Sequence, residues 1–93
     1  MIERQEGRLL VKAPLTMANA GGLLDAGRSA LQAGEVVFDF SAVDEADSSA
    51  IAVMLGWLRA AGAAGAHVKF AHIPAGVRSL AELYGVADLL PLA

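Results

Sequence analysis

The feature that most constrains this fold is a predicted helix that begins near residue 47 or 48 and ends between residues 62 and 65. With a rotation of about 100° per residue, its apolar side chains fall on two opposite faces. Ile51 marks the centre of one face, which has the pattern of an ordinary core stripe. Val53 and Trp57 lie on the other face, and Arg59 is the one charged residue after the first turn. A helix with this pattern must be covered on both sides.

The second apolar face of this helix is too large to leave in water. A tryptophan buries roughly 150 to 250 Å², which corresponds to about 4 to 6 kcal/mol at about 25 cal/mol per Å². We therefore expect Val53 and Trp57 to contact a partner protein, beside the serine pair Ser48 and Ser49. The alternative is that the leucines near the carboxyl terminus fold over Trp57 and cover it within the chain.

Short β-rich runs alternate with helical patterns along the rest of the chain. The run at 36–40 is nearly continuous in β-branched and aromatic residues, which is typical of a central strand. The run at 8–13 ends at a proline and is predicted to be an edge strand. The other predicted elements are helices at 17–33 and 74–84 and a strand at 67–72. This order predicts an α/β fold with a small mixed sheet of about four strands and helices packed mainly on one face.

Length and composition exclude several classes of protein. A chain of 93 residues suits a single domain over residues 1–93. No apolar run reaches the roughly 18 residues of a membrane span, and no secretory signal is visible, so we expect a cytoplasmic protein without direct membrane insertion. The net charge of -3 argues against nucleic acid as a partner.

The sequence offers little support for catalysis or a cofactor. The chain has no cysteine, which excludes thiol catalysis. His67 and His72 lie five positions apart along a predicted strand and point to opposite faces, so they do not suit one metal ion. Neither a phosphate-binding loop with lysine nor a nucleophile elbow is present. We predict a protein that is not an enzyme and that has neither a metal site nor a cofactor.

The segment Asp47, Ser48 and Ser49 is suited to the start of a helix, because each side chain can accept a hydrogen bond from an unpaired amide of the first turn. The same amides and the helix dipole favour negative charge. A phosphoryl group on one of these serines would therefore be tolerated. Capping alone explains the three residue types equally well.

The residues Val-Val-Phe-Asp-Phe-Ser, followed by Val-Asp-Glu-Ala-Asp-Ser-Ser-Ala-Ile, resemble the signature of the STAS domain of sulfate-transporter tails and anti-sigma-factor antagonists. The antagonist pattern is Asp-Ser-Ser-Gly-Leu. The resemblance implies that Ser49 is the candidate phosphoacceptor, with Asp47 and Asp39 as its acidic neighbours. The chain has Ala50 where the antagonists usually have glycine, and we expect a side chain there to hinder a kinase.

Nearly the whole chain also resembles one branch, the MlaB-like STAS subunit of bacterial ABC phospholipid transporters that maintain outer-membrane lipid asymmetry. The resemblance rests on Pro14-Leu15-Thr16, on Leu55-Gly56-Trp57-Leu58-Arg59-Ala60-Ala61, and on Leu80-Ala81-Glu82-Leu83-Tyr84-Gly85-Val86 after Pro74. It implies a subunit that binds and regulates or stabilises the transporter ATPase and is peripheral to the inner membrane. The polar residue after the motif aspartate, Ser48, would contact that ATPase.

Two functions therefore stay open for this sequence. The first is the MlaB-like subunit, with Ser48, Ser49, Val53 and Trp57 at the contact with the ATPase. The second is an anti-sigma-factor antagonist whose Ser49 is phosphorylated by a partner kinase, which also acts as the anti-sigma factor. The sequence also leaves open whether the isolated chain forms a homodimer through the same apolar face.

Overall fold

The computed structural model describes residues 1–93 and contains one four-stranded sheet with the order β1-β2-β3-β4. The β1 strand is antiparallel to β2, and β2, β3 and β4 are parallel to one another. This arrangement confirms the predicted α/β class and the small mixed sheet. The strands are β1 (Ile2–Gln5), β2 (Arg8–Val11), β3 (Gly34–Asp39) and β4 (Ala66–Ala71). The helices are α1 (Ala20–Ala30), α2 (Ser49–Ala64), α3 (Ala75–Leu83) and a short 3₁₀ helix (Ala87–Leu89).

The position of β3 in the sheet was predicted correctly, but that of β2 was not. Because β1 pairs with β2, the strand predicted to be an edge is an interior strand, and β1 forms the edge instead. The two strands are joined by Glu6 and Gly7, whose φ angles of 50° and 80° are both positive. This two-residue turn matches the twist of antiparallel strands. Glu-Gly is a weaker hairpin signal than Asn-Gly or Asp-Gly, so the hairpin was not predicted.

The helices lie on one face of the sheet, because alternate strand residues point towards them. Phe38 of β3, Phe40 just after it, and Leu9 and Val11 of β2 are all buried in the same apolar cluster as residues of α2 and α3. The other face carries exposed polar residues that form ion pairs, for example Lys69 with Glu35 at the β3–β4 junction. None of the helices combines the length and hydrophobicity that crossing a bilayer requires.

The expectation that Val53 and Trp57 face a partner protein is wrong. Their exposed fractions are 3% and 0%, so both belong to the core. The indole ring stacks on Phe38, with ring centroids 4.0 Å apart and planes inclined by 5°. The indole N–H donates to the α1 carbonyl oxygens of Leu23 at 3.2 Å and Leu24 at 3.3 Å. The ring is therefore held between β3 and α1.

Two glycines explain how α1 covers the second apolar face of α2. A Cβ atom on Gly27 would lie 2.1 Å from Trp57 Nε1, and one on Gly56 would lie 2.6 Å from Leu24 Cδ1. At Gly27 three indole atoms would clash with a Cβ atom, so this position requires glycine, whereas at Gly56 the Leu24 side chain could turn aside. The alternative in which Leu89 and Leu90 cover Trp57 is correct only in that Leu90 is buried in the same core cluster, since Leu89 is exposed and the groups bonded to the indole come from α1.

Candidate functional site

Two loops at the carboxyl-terminal edge of the parallel strands are joined by backbone hydrogen bonds. The Leu15 amide donates to the Glu45 carbonyl oxygen at 2.9 Å, and the Asp47 amide donates to the Leu15 carbonyl oxygen at 2.9 Å. The loop before α1 therefore runs parallel to the loop before α2. This pairing brings Met17 next to the serine pair at the start of α2.

The Asp47 carboxylate organises this junction. Its Oδ1 accepts from the Ser49 amide at 2.8 Å and from the Ser49 hydroxyl at 2.5 Å, and its Oδ2 accepts from the Met17 amide at 3.0 Å. These hydrogen bonds lower the pKa of Asp47, and the bond from the Ser49 hydroxyl makes the largest contribution. Asp47 therefore caps α2 as an anion and ties the helix to the loop before α1.

The two serines and the following alanine differ in accessibility. Ser48 is exposed and makes no capping hydrogen bond through its side chain, while Ser49 is half-buried against Asp47. Ala50 is fully buried, so its methyl group points into the core. This burial argues against direct hindrance of a kinase by the Ala50 side chain, and the effect of that residue on phosphorylation stays a prediction.

Asp39 is not a neighbour of Ser49, contrary to the expectation drawn from the family pattern. It points away from Phe38 and Phe40, to the face of the sheet opposite α2. Its Oδ2 lies 3.1 Å from Arg8 Nη1, and its Oδ1 accepts from the Ser41 amide at 2.8 Å.

His72 Nδ1 also lies 3.1 Å from Asp39 Oδ1, so three groups surround this carboxylate. Burial on its own would raise the pKa of Asp39. The hydrogen bonds from Ser41, His72 and Arg8 outweigh burial and lower the pKa to about 2. Asp39 is therefore an ionised structural group at the end of β3.

The solvent-facing side of α2 is a different surface from the one that the sequence predicted. Ser48, Ala52 and Arg59 follow one another along it at helical spacing, and all three are exposed. Met17, 77% exposed, lies beside its amino-terminal end. We call Met17, Ser48, Ala52 and Arg59 the docking face. The sequence analysis identified Ser48 but not Met17, Ala52 or Arg59, because the apolar pattern on two faces of α2 does not show that the small residues between those faces are exposed.

A groove lies next to this junction, between the β3–α2 loop and the start of α3. It has a volume of about 280 Å³. We call it the α3 groove. Its lining includes Val43, Asp44, Glu45, Gly76, Val77 and Leu80. The groove was not predicted, since its two walls are about thirty residues apart in the chain and meet only in the folded structure.

The family model described as "Mlab, STAS domain" matches residues 1–91. No curated protein sequence is significantly similar to the chain. A solved STAS domain protein from Planctomyces limnophilus has a TM-score of 0.71 at 13% identity, covering 99% of this chain and 86% of that one. The unphosphorylated anti-sigma factor antagonist SpoIIAA has a TM-score of 0.71 at 15% identity, covering 100% and 86%.

A putative anti-sigma factor antagonist from Thermotoga maritima has a TM-score of 0.68 at 14% identity, covering 99% of this chain and 83% of that one. At identities this low, the likeness to the three solved structures establishes the shared fold.

Proposed function

Because the chain belongs to the MlaB STAS-domain family, we propose that it is a non-catalytic subunit that binds and regulates the ATPase of a Mla-type phospholipid ABC transporter. The observation that carries this proposal is the family match over residues 1–91, which is nearly the whole chain. In this role the protein acts in the cytoplasm, is held at the inner membrane by its partner, and contributes to outer-membrane lipid asymmetry.

The docking face, together with Ser49, is the proposed contact with the ATPase. Ser48 and Ala52 have small side chains, so another protein can approach the α2 backbone closely. Met17 offers an exposed, flexible apolar side chain, a type that adapts well to a partner surface. The hydrogen bonds of Asp47 hold this end of α2 in place before binding, which reduces the entropy lost on association.

An arginine at position 52 should block this contact. Ala52 is exposed and lies one turn after Ser48, so Ala52→Arg places a long charged side chain in the proposed interface without disturbing the core. We expect the Kd for the ATPase to rise at least about tenfold, equivalent to about 1.4 kcal/mol. Calorimetric titration of the purified ATPase measures this change.

The matched control is His67→Arg. His67 is also exposed, but it lies on β4 and points to the face of the sheet opposite the helices, because it alternates with buried residues of that strand. It should bind like the unmodified chain. Equal affinities for the two variants would remove the docking face from the proposal.

Purification of the tagged chain from its native host tests the proposed partner. The proposal predicts that a transporter ATPase and its permease are recovered with it. Recovery of a protein kinase in their place would contradict the transporter role and support the second candidate below.

The second candidate is an anti-sigma-factor antagonist that a kinase modifies on Ser49. It is favoured by the accessible edge of Ser49 and by the burial of Ala50. A phosphoryl group on Ser49 would add a charge of about -1.5 to -2, remove the proton that the hydroxyl donates to Asp47, and repel that carboxylate. The Asp47 bond to the Met17 amide would then be strained. Intact-mass spectrometry of protein from the native host should reveal a phosphorylated population under this candidate and none under the first.

A further inference from the structure

We propose that the α3 groove receives an arginine side chain of a partner protein, with an aliphatic residue of the partner beside it. The proposal rests on the proposed function only where it identifies that partner as the ATPase. The shape, charge and lining of the groove carry the rest.

The size of the groove suits a side chain better than a free ligand. Its volume of about 280 Å³ is at or below the lower end of the range of small-molecule sites, roughly 300 to 1,000 Å³. Gly76 in its lining has no side chain, and the space beside it is open, since a Cβ atom on Gly76 would meet nothing within 4 Å. One or two side chains of another protein fit this space.

The charge on the rim favours a cation. Asp44 and Glu45 are exposed, and neither forms an ion pair, whereas Glu3, Asp25 and Glu35 each pair with a lysine or arginine. The amino terminus of α3 also faces the groove and contributes about half a positive charge. Two carboxylates outweigh it and leave roughly -1.5 charges at the rim.

The wall of the groove favours arginine over lysine. Val43 and Leu80 are half-buried and Val77 is buried, so one side of the groove is apolar. A guanidinium group is more weakly hydrated than an ammonium group and can bind a carboxylate through two parallel hydrogen bonds. It can therefore contact the apolar wall while it binds Asp44 or Glu45.

The groove and the docking face share the β3–α2 loop. Glu45 lines the groove, and its carbonyl oxygen accepts the hydrogen bond from the Leu15 amide that holds the loop before α1 in place. Asp47 follows two residues later and caps α2. A partner seated on Ser48 therefore lies within reach of the groove, and the ATPase is the partner we assign to it.

Titration of the isotope-labelled chain with a short peptide tests the groove without the ATPase. The probe is acetyl-Leu-Arg-amide at up to about 10 mM, and its control is acetyl-Leu-Glu-amide. We expect saturable chemical-shift changes at the amides of 43–46 and 76–80 with the first peptide only. Glu45→Lys and Gly76→Leu should each abolish them, and Gly62→Leu, in another open helical position, should leave them unchanged. Absence of saturable shifts in the groove, or equal shifts with both peptides, would overturn the proposal.

Binding to the ATPase tests whether the groove takes part in the complex. Glu45→Lys should raise the Kd about tenfold and weaken its dependence on salt concentration, while Glu6→Lys, which reverses an exposed unpaired acid in the β1–β2 turn, should not. If the ATPase binds and the two variants behave alike, the groove assignment fails and the proposed function stands. If the unmodified chain does not bind the ATPase, the proposed function fails, and the peptide titration still decides the groove.

Discussion

Replacing Trp57 with alanine is expected to lower the free energy of unfolding by about 3–5 kcal/mol. The substitution removes a fully buried ring that stacks on Phe38 at 4.0 Å and leaves a cavity between β3 and α1. It also leaves the Leu23 and Leu24 carbonyl oxygens without the indole donor. Because small domains are stable by only about 5–15 kcal/mol, this is a large part of the total. Urea unfolding followed by circular dichroism measures it.

The conservative variant Trp57→Phe is the control for this prediction. It keeps an aromatic ring for stacking but loses the indole hydrogen bonds, so its loss should be about 1–2 kcal/mol. A Trp57→Ala variant that loses less than about 1 kcal/mol of stability while its affinity for the partner falls would show that Trp57 anchors an interface and not the core.

Gly27→Ala is expected to destabilise the protein by about 2–3 kcal/mol, although alanine is the better helix former by about 1 kcal/mol. The new methyl carbon would lie 2.1 Å from Trp57 Nε1 and 2.4 Å from Cε2, so α1 must move away from α2. The rigid, stacked indole has little freedom to adjust. The midpoint of thermal or urea unfolding should fall accordingly.

Gly62→Ala is the matched control, since Gly62 is also helical and a Cβ atom there would meet nothing within 4 Å. It should stabilise the protein by about 0.5–1 kcal/mol. If Gly27→Ala were stabilising to the same degree, α1 would not pack on Trp57 as closely as described.

The elements with strong local signals were predictable from the sequence. The helix that runs over Ser49–Ala64 ends at Gly65, whose φ of 67° is the left-handed conformation that glycine adopts readily. The helix predicted at 74–84 is α3, which Pro74 immediately precedes and Gly85, with a φ of 73°, follows. Most of the apolar run at 36–40 lies in β3, which is an interior strand because β2 and β4 pair with its two edges.

Other features depend on contacts that a single sequence does not encode locally. The helix α1 is shorter than the predicted 17–33, since residues before Ala20 form turns joined to the β3–α2 loop. Asp39 and Ser49 are near in the family motif, but strand alternation turns Asp39 to the opposite face of the sheet.

The sequence analysis correctly found that α2 has two apolar faces, but it assigned the second face to a partner protein. In the structure α1 covers that face. The feature of the sequence that could have shown this is Gly27, which shares the inner face of α1 with Leu23. From the sequence alone, a glycine at this position only lowers the predicted stability of the helix. Its role in packing becomes clear once Trp57 is seen to lie against it. The docking face and the α3 groove likewise arise from small residues and a loop, which carry no hydrophobic pattern.

The fluorescence of Trp57 tests most directly whether α2 is covered on both sides by its own chain, because this is the only tryptophan. For the isolated chain, our account predicts blue-shifted emission, weak quenching by acrylamide, and no change in either when the ATPase is added. Emission like that of tryptophan in water, with strong quenching that the partner relieves, would contradict it.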